Sequence, residues 1–315
     1  MSAYPWHLAQ LESLTSGQFQ SILLVSAPGQ GSDRFARHLI QYLMCATQSA
    51  CGACQSCRWL SQQNELEAGQ QSHPDVIELQ PEGAAWAHKI DTIRPVIEQV
   101  ATTTHQGGRR IIYMPEAERL TQGAANSLLK VLEEPPAGTH FILASHLPGR
   151  LPSTILSRCR QVRLPSAPAD HHWLDQWVAP SPRRDKALTI TTAPDWVIEL
   201  SDPDSDLESR VQWREQLSAA FSGDPNVEVL VASAQKIGLL AALDDWYMHS
   251  VEQAKQLALT GHAPALAALC KFQNRLNEER QSILTQVALN PGVVLRALND
   301  WWVRLGQLAS QPKPN

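Results

Sequence analysis

The chain has 315 residues, 43% of them hydrophobic and 18% charged, with a formal net charge of −5. That length allows two or three domains, and the balance suits a soluble globular protein rather than a disordered chain or a strongly basic nucleic-acid binder. Residues 1–165 carry 13 basic and 13 acidic side chains, against 13 and 18 in the remainder, so any DNA contact is expected to be local or shared with partners. The opening Met1-Ser2-Ala3-Tyr4-Pro5-Trp6-His7 has neither the basic region nor the apolar core of a secretion signal. No stretch approaches the roughly 18 apolar residues of a membrane helix. A cytoplasmic location is expected.

The first strong element is the apolar run Ser21–Val25, which predicts a buried strand, followed by a helix opening at Asp33-Arg34-Phe35-Ala36. The connector Ser26-Ala27-Pro28-Gly29-Gln30-Gly31-Ser32-Asp33 stands where a phosphate-binding loop, G-x-x-x-x-G-K-[ST], would stand. Gly29 and Gly31 keep the tight turn. Ser32 replaces the lysine that reaches the phosphates, and Asp33 replaces the hydroxyl that holds magnesium. A carboxylate about 4 Å from a phosphate charge is repelled by roughly 4 kcal/mol at an effective dielectric near 20. The loop is therefore expected to keep its shape and lose its nucleotide; an ordinary Gly-rich turn is the plainer alternative.

Next comes a cysteine cluster, Cys45 and then Cys51, Cys54 and Cys57, the last three spaced by two residues. Four thiolates with no position left for water suit a closed, structural zinc site over about residues 45–57. Two disulfides are disfavoured in a reducing compartment, and an iron–sulfur cluster is the remaining reading. Cys159 and Cys270 stand alone and read as packed residues.

Ile90–Ile97 predicts a helix with Asp91 as its cap and Pro95 in its first turn. Arg110–Met114 predicts a strand that runs into Pro115-Glu116-Ala117-Glu118. In an ATPase with a phosphate loop that strand ends in two acids, the first for magnesium and the second for the attacking water. Here Pro115 takes the first place, so both halves of a magnesium site are lost, and Glu116 reads as a solvated residue at a helix start. Further strands are expected at Val76–Leu79, Phe141–Ala144 and Gln161–Leu164. Strands alternating with helices predict a parallel sheet covered on both faces, an α/β P-loop NTPase-like domain over residues 1–165.

Leu164-Pro165-Ser166-Ala167-Pro168 reads as a linker into a small helical lid, 166–206, broken by Pro180, Pro182 and Pro194 and closed by the acidic stretch 201–206. From 207 to 315 the pattern is helical, with breaks at Gly223-Asp224-Pro225, Gly261 and Asn290-Pro291-Gly292. Five helices packed as a bundle are expected. Trp173/Trp177 and Leu266/Leu269 sit at helical spacing and are expected in cores. Trp301 and Trp302 are adjacent and cannot share one helix face, so one of them is a candidate for a subunit interface, with a place in an amphipathic core as an equal alternative.

The order of these features, with Ser127-Leu128-Leu129-Lys130-Val131-Leu132-Glu133-Glu134-Pro135-Pro136 and Leu151-Pro152-Ser153-Thr154-Ile155-Leu156-Ser157-Arg158-Cys159, resembles the AAA+ clamp-loader subunits of bacterial DNA polymerase III. The resemblance is close over the first half of the chain. Lost nucleotide chemistry beside a retained Ser-Arg-Cys run resembles the non-hydrolysing delta-prime type rather than the ATP-hydrolysing gamma/tau type, which is the alternative. It implies that Arg158 reaches a neighbouring subunit's ATP as an arginine finger supplied in trans, with Ser157 shaping its loop and Cys159 anchoring it. From spacing alone, Arg158 with Arg160 and Arg163 would instead be a solvated or salt-bridged edge. The resemblance further implies gamma/tau and delta subunits as partners, the sliding clamp and primed DNA through the complex, structural Zn2+ as cofactor, and no ATP bound by this subunit. It makes 207–315 a collar domain, and it puts Ser145 or His146 at the sensor position of an active subunit. Cys45 stands closer to the other cysteines than such subunits lead one to expect. Arg34, Arg37 and Arg109 are left open as DNA contacts, and a zinc-dependent nucleic-acid module is disfavoured by the neutral charge of residues 1–165.

Overall fold

In a computed structural model of the chain, residues 3–62, 73–82, 87–100, 108–168, 170–223, 226–284 and 290–311 are described. They form two compact units. The first comprises Met1–Trp173 with Ala193–Asp195, and the second Leu174–Thr192 with Trp196–Asn315. Residues 166–206 thus contribute to both units.

The first unit is built on five strands: β1 (Ser21–Val25), β2 (Val76–Glu78), β3 (Arg110–Met114), β4 (Thr139–Ser145) and β5 (Arg160–Arg163). Their order is β2-β3-β4-β1-β5, and every pairing is parallel. The runs that the sequence marked as strands are these, with polar ends added at Thr139, Ser145 and Arg160 because backbone pairing outlasts the apolar run. Leu79 lies past the end of β2, yet its amide still bonds to the Tyr113 carbonyl at 2.8 Å.

Side-chain alternation along the strands feeds two cores. Ile22, Leu24, Ile111, Tyr113, Ile142 and Ala144 pack on one face with Phe35, Leu39 and Leu43 of α2 (Ser32–Met44). Leu23, Ile112, Met114, Phe141 and Leu143 pack on the other. There they meet Ile93 of α4 (Ile90–Val100) and Leu128 of α5 (Gln122–Glu133). The sheet is therefore near-continuously apolar, as a parallel sheet covered on both faces must be. The chain enters through α1 (Leu8–Thr15), and α3 (Gln55–Ser61) follows α2.

α4 differs from expectation. It begins at Ile90, and the amides of Thr92 and Ile93 both bond to the Lys89 carbonyl, so Asp91 lies inside the first turn instead of capping it. Pro95 is interior to the helix, where it cannot supply the amide that the Asp91 carbonyl would accept. The Thr121 side chain, by contrast, caps α5 by accepting from the Ala124 amide at 3.3 Å.

The second unit is helical. It contains α7 (Pro182–Ile190), part of α8 (Pro194–Ser201), and then α9 (Leu207–Phe221), α10 (Val227–Ile237), α11 (Leu239–Thr260), α12 (Ala263–Leu284) and α13 (Pro291–Ala309). Short α6 (Ser153–Leu156) belongs to the first unit. Five helices follow residue 207 among the described residues, with the chain turning at Gly223, Gly261 and Asn290. Asp224 and Pro225 lie outside the described residues. Trp213, Trp246, Phe272 and Trp302 are fully buried in the bundle core. Each large ring removes about 150–250 Å² from water, roughly 4–6 kcal/mol of transfer free energy before ordering costs. Two of the indoles also find acceptors, Trp213 on the Ala242 carbonyl at 3.2 Å and Trp302 on the Leu217 carbonyl at 2.8 Å. Trp301 is half-buried against the same core, as is Leu266, while Leu269 lies fully inside. Trp173 and Trp177 do not share a core: Trp173 packs in the first unit and Trp177 belongs to the second.

Candidate functional site

The carboxyl ends of β1, β3 and β4 meet at one edge of the sheet, the place where a parallel α/β sheet ordinarily receives a ligand. The connector after β1 keeps the expected turn. Gly29 and Gly31 have φ of 69° and 87°, and α2 starts at Ser32, which is buried. The polar groups of the loop are engaged by the chain itself. The Gln30 side-chain oxygen accepts from the Ala167 amide at 2.9 Å, and the Gly29 carbonyl accepts from the Asp195 amide at 3.0 Å.

Asp33 points back towards the sheet. Its carboxylate accepts from the Tyr113 hydroxyl at 2.9 Å and from Arg37 Nε at 2.8 Å. Arg37 then reaches Glu78 with both terminal nitrogens, at 3.1 and 2.8 Å. Burial first, and the Asp33 carboxylate second, hold the Tyr113 hydroxyl protonated far above the ordinary phenol range. Arg37 balances the charge on Asp33, so the repulsion expected of a bare carboxylate at this position is reduced. What the position lacks is a hydroxyl for magnesium and a free cation for phosphate.

An aromatic cover lies over the loop. Tyr4 is fully buried, stacks on Trp6 at 4.6 Å between ring centroids, and meets Trp173 edge-on. A Cβ added to Gly31 would stand 2.4 Å from the Tyr4 ring. The Tyr4 hydroxyl donates to Asp195 at 2.7 Å, and the Arg34 guanidinium lies over the ring at 4.9 Å.

At the end of β3, the Pro115 carbonyl accepts from His88 Nε2 at 2.8 Å. Glu116 has a left-handed backbone, φ 47°, and pairs with Arg119 across a short 3-10 turn. Glu118 accepts from the His146 amide at 3.3 Å, and His146 Nδ1 lies 3.2 Å from the Ser26 carbonyl. The Ser145 hydroxyl accepts from the Leu147 amide at 3.1 Å. Of the two sensor candidates, His146 faces the loop and Ser145 closes a local turn.

The Ser-Arg-Cys run follows α6. Ser157 donates to the Thr154 carbonyl at 3.2 Å, and Cys159 is buried in the α4/α5-side core, where desolvation pushes its thiol up to about 12. Arg158 lies at the surface between them. Its Nε and Nη2 donate to one oxygen of Glu133 at 3.2 and 3.0 Å, and Nη1 donates to the Thr154 carbonyl at 3.1 Å. Its remaining N–H groups have no acceptor among the described residues.

The sulfurs of Cys45, Cys51, Cys54 and Cys57 all lie within 4.8 Å of one another. Cys45 ends α2, and Cys54 and Cys57 open α3; left-handed Ala50 and Gly52, φ 52° and 70°, fold the intervening chain back. Hydrogen bonds from the Ala46 and Cys57 amides pull the Cys54 thiol down, whereas burial and the neighbouring Cys54 push Cys57 up. A dication would hold all four as thiolates. Tetrahedral zinc at about 2.3 Å from each sulfur needs sulfurs roughly 3.8 Å apart, so the set fits with a small inward movement. His73 steadies the module, its Nε2 lying 3.1 Å from the Ser56 hydroxyl and its Nδ1 accepting from the Asp75 amide at 3.1 Å beside β2.

Residues 8–168 match the family model described as "DNA polymerase III, delta subunit". The chain is 30% identical to the DNA polymerase III subunit delta' of Pseudomonas aeruginosa over 329 residues, spanning 96% of this chain and 98% of that protein. The chain belongs to the DNA polymerase III delta' family. Against the delta' subunit of Yersinia pestis it is 37% identical over 167 residues, half of this chain and 47% of that one. Among solved structures, a DNA polymerase III gamma subunit-related protein from Thermotoga maritima shares the fold. Its TM-score is 0.53 at 16% identity, covering 95% of this chain and 99% of that one.

Within this delta' family member, the loop, the acidic motif, the cysteines and Arg158 were all visible as sequence. The residues that engage them were not. Tyr4 and Asp195 are 191 positions apart, and Arg158 and Glu133 are 25 apart, so no local pattern joins them. The Asp33/Arg37 and Glu116/Arg119 pairs carried a usable signal, opposite charges four and three residues apart. Arg34, Arg37 and Arg109 all have partners within the chain, Arg109 on the Leu43 carbonyl at 2.8 Å.

Proposed function

We propose that this delta' family member is a clamp-loader component that hydrolyses no ATP itself and completes a neighbour's ATP site with Arg158. The observation that carries the reading is a contrast within one unit. The loop spends its polar groups on Asp195, Ala167 and Tyr113, whereas Arg158 lies at the surface with N–H groups to spare. A guanidinium in that setting can offset charge developing on the phosphoryl group of an ATP held by an adjoining subunit. Gamma/tau and delta subunits are the partners on this reading, and the sliding clamp and primed DNA are engaged through the complex, in the cytoplasm. No helix among the described residues is long and apolar enough to cross a membrane. Residues 1–165 act as the nucleotide-type domain, 166–206 as a lid and 207–315 as the collar.

Zinc is the metal we assign to Cys45, Cys51, Cys54 and Cys57, since four thiolates leave no open position for chemistry. Bound there, it cross-links the end of α2 to the start of α3.

In a reconstituted complex, Arg158→Ala is expected to lower ATP turnover by an order of magnitude or more at the site it completes, with assembly unchanged by size-exclusion chromatography. Unaltered turnover would remove the finger assignment. Saturable ATP binding with turnover by the isolated chain would favour a gamma/tau-like motor instead. Metal analysis in reducing buffer is expected to find one zinc per chain, and Cys57→Ser to lose it.

A further inference from the structure

We propose that the anion position of the degenerate loop is filled by the chain's own Asp195 carboxylate, so that this protein excludes polyphosphates by occupancy as well as by its missing lysine. The inference rests on the non-hydrolysing reading above and supplies a second cause for it. Asp195 opens α8 but packs with the first unit. Its carboxylate accepts from the Tyr4 hydroxyl at 2.7 Å, and Arg34 Nε lies 3.9 Å away. Burial raises its pKa, and the nearby Gly31 backbone amide works against that by favouring the charged form. The Asp195 amide donates to the Gly29 carbonyl at 3.0 Å. Asp195 is thus bound to Gly29 through its backbone, with its carboxylate beside Gly31. The amide of Gly31, at the N-terminus of the 13-residue α2, is the kind of donor that a phosphate oxygen takes in a working loop. A carboxylate offers the same acceptor chemistry, and Arg34 over the Tyr4 ring supplies the countercharge.

Steric closure accompanies the charge. Tyr4 is fully buried, and its ring occupies the space that any side chain at position 31 would need. A polyphosphate reaching the Gly31 amide would have to displace Asp195 and with it the hydrogen bond that holds Tyr4. Restoring a lysine alone, as in Ser32→Lys, therefore leaves Asp195 and Tyr4 in place over the loop.

Thermal unfolding of the full chain in pyrophosphate, against sodium chloride of equal ionic strength, tests this. Asp195→Ala is expected to lower the midpoint by roughly 2–4 °C. Millimolar pyrophosphate should then restore at least half of the loss while leaving the wild type unmoved. Asp195→Asn, which keeps the shape and removes the charge, serves if the alanine variant does not fold, and should respond in the same way. Equal shifts in wild type and variants, or no shift in any variant, overturn the proposal. Turnover of ATP by the isolated wild-type chain would instead sink the non-hydrolysing reading, so the two failures are told apart.

Discussion

The loop end of the sheet and the Arg158 corner lie in the same unit and treat charge in opposite ways. At the loop, Asp33, Arg37, Glu78 and Tyr113 close on one another, and Tyr4, Arg34 and Asp195 do the same. At the corner, Arg158 is held by one exposed carboxylate and one carbonyl, with 28% of its side chain open to solvent. Polar groups that satisfy each other within one chain contribute to its fold and leave fewer donors and acceptors for a ligand. An outward cation with unspent donors contributes little to the fold and stays free for a partner.

Substitutions that perturb each region in turn put this contrast at risk. Gly31→Ala should have the largest effect, a loss of about 2–4 kcal/mol in urea unfolding, because φ is 87° and the new methyl meets the Tyr4 ring. Gly52→Ala, also at positive φ but with nothing within 4 Å, is the control and should cost about 1 kcal/mol. Equal losses at the two glycines would mean that Tyr4 is not packed on the loop. A second test uses acid. Burial, opposed by the Pro165 carbonyl, lowers the pKa of His7 beside the aromatic cover from 6.5 to about 4. A neutral buried imidazole contributes fully above pH 6.5, and that contribution is lost as pH falls through about 4, by at most about 1.4 kcal/mol per pH unit. His7→Gln should flatten this part of the urea-midpoint profile; an unchanged slope would place the acid sensitivity elsewhere. The smallest effect is expected at Glu133→Ala. With 59% of the Glu133 side chain exposed, the Arg158 pair should contribute within about 0.5 kcal/mol of stability. A loss matching that of Gly31→Ala would make the corner part of the scaffold and erase the contrast.

Most of the sheet was legible because β1, β3 and β4 centre on runs of branched and aromatic residues bounded by turn formers. Ser21–Val25 and Arg110–Met114 show this best. Pro95 misled, since a proline near a helix start ordinarily marks the first turn, whereas here packing of Ile93 and Val100 carries the helix through it. The four cysteines were legible as a set, their short spacers leaving few ways to scatter. What closes the loop was not legible, because Tyr4 and Asp195 come together only after the sheet and the segment beyond it have folded. Glu133 was read only as part of a run, and its role beside Arg158 depends on α5 ending where α6 begins its turn.

Arg37 has one consequence that reaches beyond stability. A magnesium ion arrives and leaves with its nucleotide, and switching ATPases use that alternation to change shape. The guanidinium bridging Asp33 and Glu78 belongs to the chain itself and does not depart with a ligand. On the proposed non-hydrolysing reading, the sheet edge it spans keeps one resting geometry whatever the cellular ratio of ATP to ADP.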